Sequence, residues 1–567
     1  MTDEFFLYVC TFNFHQISLN MSKASAKKRG AKTKVTAAPV AEVDIFVPRR
    51  NDYKVIVDPE SNLACTAMLN QTNLDTNNNK FFLIQALETL DGSSFATWFR
   101  WGRVGYSGQT NLTSCGSREA AVEIFKRKFA DKTMNEWSKS IFKSFQPEAR
   151  KYTLLAVESL TESVEAADTR GGQVELVKVE YEESKLDQSV FDLIKLISSK
   201  EMFESELKVA GLDLTRMPLG RISPMMIKDG YKILKQIEAE LGRSGGPRRD
   251  VLNGLSGQFY TVIPHSFGFS KAISFVINSV DKLQEKSELL EDLEGVRKGL
   301  ESGKSSSTAA VVEKVTRKKN PVDESYHRLG WGLEILPRNS TEFKVIQTYK
   351  ENTQGETHSA RSNIKNVYKL IEPMAVKKTP SSKRKRNLPK KSEEDNKMLL
   401  WHGSRLTNWM SILSSGLKIA PSEAPHSGYM FGKGIYTADC FSKAANYCFV
   451  AESRQRTGLI VLCEVQVGKS LELTQADYDA EQKLGSAFQS TKGMGKWFPK
   501  PGEQVVLDEG VVVPQGKLVS KDEELKSYSS QRLATQYSGG LLYNEYIVYD
   551  PSRVRMKYLV ELDFTSR

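Results

Sequence analysis

Four residues carry side chains suited to chemistry in settings that packing alone does not readily explain. Glu545 lies in the run Leu541-Leu-Tyr-Asn-Glu-Tyr-Ile-Val. An acid inside such an apolar, strand-like stretch is costly unless partnered, and a carboxylate held there can stabilise a developing positive charge or accept a proton. His402 follows Trp401 in Leu399-Leu-Trp-His-Gly-Ser-Arg, and Gly403 beside it can bring backbone N–H and C=O close to a ligand. Tyr436, ending Tyr429-Met-Phe-Gly-Lys-Gly-Ile-Tyr, and Tyr447, ending Ser442-Lys-Ala-Ala-Asn-Tyr, offer aromatic faces. Taken singly, a histidine after tryptophan or a tyrosine in an apolar stretch is more often a core or turn residue.

Other chemistries find little support. The six histidines (15, 265, 327, 358, 402, 426) are scattered with no metal-ligand spacing. The six cysteines (10, 65, 115, 440, 448, 463) include no Cys-x-x-Cys pair and are too few for a disulfide scaffold. The expectation is no metal and a reducing compartment. Gly432-Lys-Gly is not a Gly-x-Gly-x-x-Gly fingerprint, so a doubly wound nucleotide fold is not implied.

The elements that must position these residues follow from periodicity. From about residue 320 to 567 the chain alternates strand-like and helix-like stretches. Val376–Lys391 interrupts them with eight Lys/Arg, no acid and two prolines, which predicts an exposed loop. Upstream, residues 184–305 have helical period: Val190, Leu193, Ile194 and Ile197 recur on one face, as do Ile233, Ile237 and Leu241. A helical bundle is the natural reading. Residues 159–183 are acidic and read as a linker. Residues 51–158 form a compact segment with strands at Lys80–Leu87 and Phe95–Tyr106 and a helix capped by Ser117, with Ala121, Ile124, Phe125 and Phe129 on one face. Residues 1–50 read as a disordered basic arm, with six Lys/Arg and no acid between Lys23 and Lys34.

At 567 residues, 40% hydrophobic and 26% charged, the chain fits a globular protein of about three to four domains. No stretch reaches the ~18 apolar residues of a membrane span. The run Phe5–Phe14 follows two acids, so no secretory signal is expected. Met21 opens a more basic start, and the first twenty residues read as an alternative upstream beginning. The formal charge of +11 points toward a polyanion. It is concentrated: residues 23–34 of the arm carry +6, the 376–391 loop +8 and residues 97–152 +6, leaving −9 for the remainder. Lys27-Lys-Arg and Lys383-Arg-Lys-Arg could serve as nuclear-import signals or nonspecific DNA contacts, or be plain solvated runs.

Two sets of motifs resemble one family. The string Phe99-Arg-Trp-Gly-Arg-Val-Gly-Tyr-Ser-Gly-Gln, followed by Phe125-Lys-Arg-Lys-Phe-Ala-Asp-Lys-Thr and Asn135-Glu-Trp, resembles the WGR domain of DNA-dependent poly(ADP-ribose) polymerases. The runs around His402, Tyr436 and Glu545, in that order, resemble the His-Tyr-Glu signature of that family's catalytic domain. Three dispersed motifs in register reverse the odds that each alone would carry. The absence of zinc-finger cysteines and the short arm make the chain most similar to the smaller nuclear members that carry a WGR domain.

The resemblance implies a multidomain α+β protein: a small antiparallel sheet plus helix, an all-α regulatory bundle, and a mixed α/β catalytic domain at 320–567. It implies a DNA-break-activated enzyme that cleaves NAD+, releases nicotinamide and builds poly(ADP-ribose) on itself and on chromatin and repair proteins in the nucleus. An accessory specificity factor is a further implied partner, and no membrane is involved. Glu545, His402 and Tyr436 would be catalytic. NAD+ would meet His402, Gly403, Ser404, Asn408, Lys418, Tyr436, Lys443 and Tyr447. Trp101, Arg103, Arg100 and Tyr106 would bind DNA ends, preferably 5′-phosphorylated, the Trp stacking and Arg103 pairing with phosphate. The bundle would obstruct NAD+ until DNA binding loosens it.

Two departures stand out. Ala444 replaces a usual serine, removing a hydroxyl worth about 0.5–1.5 kcal/mol as a hydrogen bond. Lys418 stands where arginine is usual, keeping charge but losing a bidentate contact. The alternatives are a mono-ADP-ribosyltransferase and a DNA-end-binding scaffold with weak catalysis.

Overall fold

The computed structural model describes residues 41–156, 180–209, 212, 222–268, 270–302, 317–356, 358, 361–372, 396–426, 428–450, 456–521 and 540–565. The basic run at 23–34, most of the expected 159–183 linker and the 376–391 loop lie outside them.

The first sheet is built from β1 (Thr66–Asn73), β2 (Asn78–Thr89), β3 (Phe95–Arg103) and β4 (Gln109–Cys115), in the order β4-β3-β2-β1 with Thr153–Leu154 beyond β1. All pairings are antiparallel, and Tyr53–Val55 pairs with β2. Helix α1 (Arg118–Thr133) starts where expected: Ser117 has an extended backbone and its hydroxyl accepts from the Ala120 N–H at 3.1 Å. Its buried face, Ala121, Val122, Phe125 and Phe129, packs on Leu69 and Ile84 with Trp137, while Ile124 is only half-buried.

Residues 41–50 correct the expected arm boundary. Ala41, Val43 and Val47 are buried in the cluster containing Trp98 and Leu83. Asp44 is buried too, its N–H donating to Gln85 Oε1 at 3.0 Å. The sequence shifts there from basic and small to apolar with acids at Glu42 and Asp44, a change in composition that the expected boundary passed over.

The helical segment contains α2 (Gln188–Ile197), α3 (Pro224–Leu241), α4 (Arg249–Val262) and α5 (Val280–Ser302). Proline opens α3, where its missing N–H costs nothing, and the Ser223 hydroxyl accepts from Met226 N–H at 3.3 Å. On α2 the four expected residues are buried. On α3 the stripe is Met226, Ile227, Tyr231, Leu234 and Ile237, so the face is rotated from the expected one, and Ile233 and Leu241 are half-buried at its edge. The bundle meets the first sheet through polar contacts: Asn70 Nδ2 donates to the carbonyls of Tyr260 and Thr261, and Asn79 Nδ2 to that of His265. Glu180–Tyr181, inside the expected linker, pairs in parallel with Arg317–Lys318.

The last part holds a larger and a smaller sheet that carry the site, besides an antiparallel pairing of Trp497–Pro499 with Leu518–Ser520. In the larger, β5 (Arg361–Ile371) and β6 (Lys397–Ser404) are separated by β8 (Thr457–Gln466) and β11 (Val554–Thr565), in the order β6-β8-β11-β5, with short strands at both edges. Helix α6 (Trp409–Ser415) follows β6. In the smaller sheet β10 (Glu545–Val548) lies between β7 (Ile435–Thr437) and β9 (Ser490–Gly493). Helix α7 (Phe441–Asn446) joins β7 to β8. The sheets meet at an antiparallel bridge between Trp401 and Ala438, which sets the end of β6 beside β7.

Candidate active site

Strand β6 runs through the core as Leu399, Leu400 and Trp401, all fully buried, then emerges at His402. The His402 Nδ1–H donates to the Tyr436 carbonyl at 2.8 Å, and burial keeps the ring's pKa below its usual value. The ring is therefore neutral near pH 7, with Nε2 left as an acceptor. At Gly403 strand β6 passes so near helix α7 that an added Cβ would lie 2.0 Å from the Ala444 carbonyl oxygen. Only glycine permits that approach.

Tyr436 is fixed at both ends. Its hydroxyl donates to the Gly432 carbonyl at 2.7 Å and accepts from Phe431 N–H at 3.0 Å, and burial pushes its pKa up. Glu545 opens β10 and is 9% exposed. Lys443, projecting from α7, holds Nζ 2.6 Å from Glu545 Oε1 and donates to the Tyr543 carbonyl at 3.1 Å.

His402, Gly403, Ser404, Asn408, Lys418, Tyr436, Lys443, Tyr447 and Glu545 all line one cavity of about 1060 Å³. The sequence thus named nine residues that the fold brings together. It missed a third side of the cavity. Helix α5 contributes Glu288, Glu291 and Asp292. Asn408 Nδ2 donates to Asp292 Oδ1 at 3.0 Å as well as to Ser404 Oγ at 3.1 Å, and Arg405 Nε lies 2.8 Å from Asp292 Oδ2. Tyr429 donates its hydroxyl hydrogen to Glu291. At Gly295 an added Cβ would lie 2.1 Å from Asn408 Oδ1, so the helix sits hard against the cavity rim. The signal is present as acids at helical spacing on the face away from Leu289, Leu290 and Leu293, but spacing does not tell an acid that meets solvent from one that meets a partner.

The aromatic and basic residues of the first sheet divide. Trp101 is half-buried with its ring stacked on Phe82 at 5.8 Å between centroids. Arg103 Nε donates to the Gly268 carbonyl and Nη1 to that of Asn77. Tyr106 is half-buried in the turn after β3. Arg100 is a correction: it is 1% exposed, paired with Asp44 at 2.7 Å, donates to the Ser107 carbonyl at 3.0 Å, and lies over the Phe46 ring. Strand alternation puts residues 100 and 101 on opposite faces, so Arg100 cannot share a DNA-facing surface with Trp101.

Among the described residues no three His, Cys, Asp or Glu are grouped to hold a metal ion, and no helix is long and apolar enough to cross a membrane.

Models of three families match the chain: the poly(ADP-ribose) polymerase catalytic domain at residues 340–564, the regulatory domain of that polymerase at 184–326, and the WGR domain at 65–144. Poly [ADP-ribose] polymerase 2 of Arabidopsis thaliana is 38% identical over 96% of this chain and 78% of its own length. The chain belongs to the poly(ADP-ribose) polymerase family. The enzyme named poly [ADP-ribose] polymerase 2 in Homo sapiens is 39% identical over 89% of this chain and 80% of its own, and the polymerase 2-A of Oryza sativa subsp. japonica 40% over 88% and 70%. As a member of the poly(ADP-ribose) polymerase family the protein is an NAD+ ADP-ribosyltransferase. The nine cavity residues all fall in the stretch matched by the polymerase catalytic domain, whereas Glu288, Glu291 and Asp292 fall in the stretch matched by the regulatory domain, which runs past the expected 305 to 326. The cavity of this polymerase is therefore walled by two of its domains.

Proposed function

We propose that this polymerase is activated by DNA ends and nicks, preferably 5′-phosphorylated, and that it acts in the nucleus on itself and on chromatin and repair proteins. The observation that carries the reading is the convergence of His402, Tyr436 and Glu545, distant in sequence, on one cavity.

Cleavage of the bond between nicotinamide and ribose develops oxocarbenium character, and a carboxylate beside the ribose lowers that barrier electrostatically. Glu545 has that role, and during elongation it orients or deprotonates the acceptor hydroxyl. Neutral His402 offers Nε2 to a hydroxyl of the adenosine ribose. Tyr436 and Tyr447 provide faces for the nicotinamide ring, and the Gly403 backbone bonds its amide. Ser404, Asn408 and Lys418 serve the adenosine half, and Lys443 holds charge beside the diphosphate or acceptor. Trp101 and Arg103 grip the DNA end. Asp292 on α5 competes with substrate for Asn408, so the closed arrangement is one member of an equilibrium that DNA shifts.

The test is nicotinamide release from NAD+ with and without 5′-phosphorylated DNA ends, alongside the labelled product on a gel. Wild-type protein should release nicotinamide faster with DNA and give a polymer ladder, and Glu545→Gln should lose the ladder. Absence of release under all conditions would favour a DNA-binding scaffold, and single-unit products from wild type a mono-transferase.

A further inference from the structure

The backbone just before Glu545 lies where two ladders end. Toward β9 the register stops at Gly493 opposite Glu545, and toward β7 at Thr437 opposite Tyr546. A carboxylate at the first residue of a strand would swing with any fraying of that end. Beyond these ladders Tyr543 is bridged to Trp497, and the side chains on either side of Glu545 are held by Asp439, in the segment between β7 and α7, 2% exposed and absent from the cavity lining. Its Oδ2 accepts from Asn544 Nδ2 at 2.8 Å and from the Tyr546 hydroxyl at 3.1 Å. These are the two neighbours of Glu545. Asn544 Oδ1 in turn accepts from Gly495 N–H at 2.8 Å, and the Tyr546 carbonyl accepts from Thr437 Oγ1 at 3.1 Å.

Successive side chains of a strand point to opposite faces. Holding residues 544 and 546 from one side fixes the rotation of the strand about its axis, and with it the direction in which residue 545 projects into the cavity. We infer that Asp439 is a positioning residue for Glu545: it touches no substrate and acts by clamping the side chains on either side of the catalytic acid. Burial of a carboxylate without solvent is costly, and burial raises the pKa of Asp439 against the opposing pull of Asn544. That cost is tolerated because the short segment 437–439 then carries both the β7 ladder and the clamp. Lys443 approaches Glu545 from α7, only four positions further along the chain, so one stretch fixes the acid from both sides.

The inference rests on the reading of Glu545 as the acid of the reaction. It is tested in the full-length protein with DNA present, measuring kcat and KM for NAD+ by nicotinamide release. The variants are Asp439→Ala, Asp439→Asn, Glu545→Gln and the double variant Asp439→Ala/Glu545→Gln. A carboxylate displaced by a fraction of an ångström loses much of its effect on a developing charge, so Asp439→Ala should lower kcat about tenfold with KM within about twofold of wild type. Asp439→Asn, which keeps an acceptor oxygen, should recover part of the loss. In the Glu545→Gln background the same alanine change should cost less than about twofold, because there is no longer an acid to position. Equal losses in both backgrounds would overturn the inference and mark Asp439 as generally structural. Full activity of Glu545→Gln itself would instead overturn the reading of Glu545. Should Asp439→Ala fail to fold, Tyr546→Phe removes one clamp hydroxyl alone and runs the same cycle, with about a threefold loss expected that must vanish in the Glu545→Gln background.

Discussion

Asp292, on a helix of the regulatory domain, lies 2.8 Å from Arg405 and accepts a hydrogen bond from Asn408, two residues on the rim of the catalytic cavity. The contact joins stretches matched by two different domains and engages Asn408, the side chain proposed to serve the adenosine half of the substrate. Removing it should favour the open arrangement. We expect Asp292→Ala, assayed at about pH 6 where the docked carboxyl keeps its proton and its hydrogen bonds, to raise nicotinamide release without DNA by roughly tenfold, the scale of a typical coupling energy, while leaving the DNA-stimulated rate within about twofold. Deleting residues 184–305 should go further and abolish DNA dependence. Rates with and without a DNA duplex decide both cases, and an unchanged DNA requirement in the deletion would refute the coupling.

The same helix makes the closed arrangement sensitive to pH. Burial pushes Glu291 up to about 7 and Asp292 up to about 7, against the opposing pull of the Tyr429 hydroxyl on the former and of Arg405 and Asn408 on the latter. Glu288 lies on the same helix and Tyr231 faces it from α3. A carboxyl whose pKa is raised on docking favours the docked state when protonated, and loses that advantage as pH rises from its free value near 4 toward 7. Docking should therefore weaken between about pH 5 and pH 7 and change little above. The ratio of DNA-free to DNA-stimulated activity should climb over that window, and Asp292→Asn should flatten the climb. A ratio that falls with pH would contradict the sign.

Two arginines three positions apart on β3 should behave oppositely. Arg100 and Asp44 form a buried pair with side chains 1% exposed, so Arg100→Ala strands a carboxylate and should cost about 3–5 kcal/mol of domain stability. Among the described residues Arg103 bonds two carbonyls, in a half-buried setting. Arg103→Ala should leave most of the thermal stability in place yet weaken DNA binding and reduce the slope of log K against log salt by about one. Thermal melts and salt-dependent binding to a DNA end separate the two effects.

What was legible from the sequence were residues whose spacing alone fixes their place. Ser117 capped its helix and Val190, Leu193, Ile194 and Ile197 faced inward, whereas the nine residues from His402 to Glu545 that meet at one cavity were found through the resemblance to a family and not through spacing. Relations between strands and between domains were not legible. Arg100 looked like a surface cation because its partner, Asp44, lies 56 positions away in a segment read as disordered. The helical face of α3 was misjudged because Ile233 and Leu241 are as apolar as Leu234, and only the neighbouring helices decide which is covered. Asp292 was hidden among the acids of an ordinary charged helix, and nothing local distinguishes a carboxylate that meets solvent from one that meets Arg405.

The ion pair between Lys443 and Glu545 gives the last expectation. With side chains 13% and 11% exposed, the pair is shielded from water, so the attraction is stronger than in a surface pair and the stranding of either partner more costly. Lys443 also holds the Tyr543 carbonyl, so it steadies the approach to β10 as well as the charge on its first residue. Lys443→Met removes both effects and should lower kcat by about ten- to a hundredfold. Lys443→Arg keeps the charge but replaces a compact ammonium by a planar fork with a different reach, so it should recover only part of the rate. If the charge alone mattered, arginine would restore the wild-type kcat. If only the Tyr543 contact mattered, Lys443→Met would lower stability and rate together, and a double change with Glu545→Gln would lose as much again. The expected result lies between: a large loss with methionine, partial recovery with arginine, and little further loss once Glu545 is already glutamine.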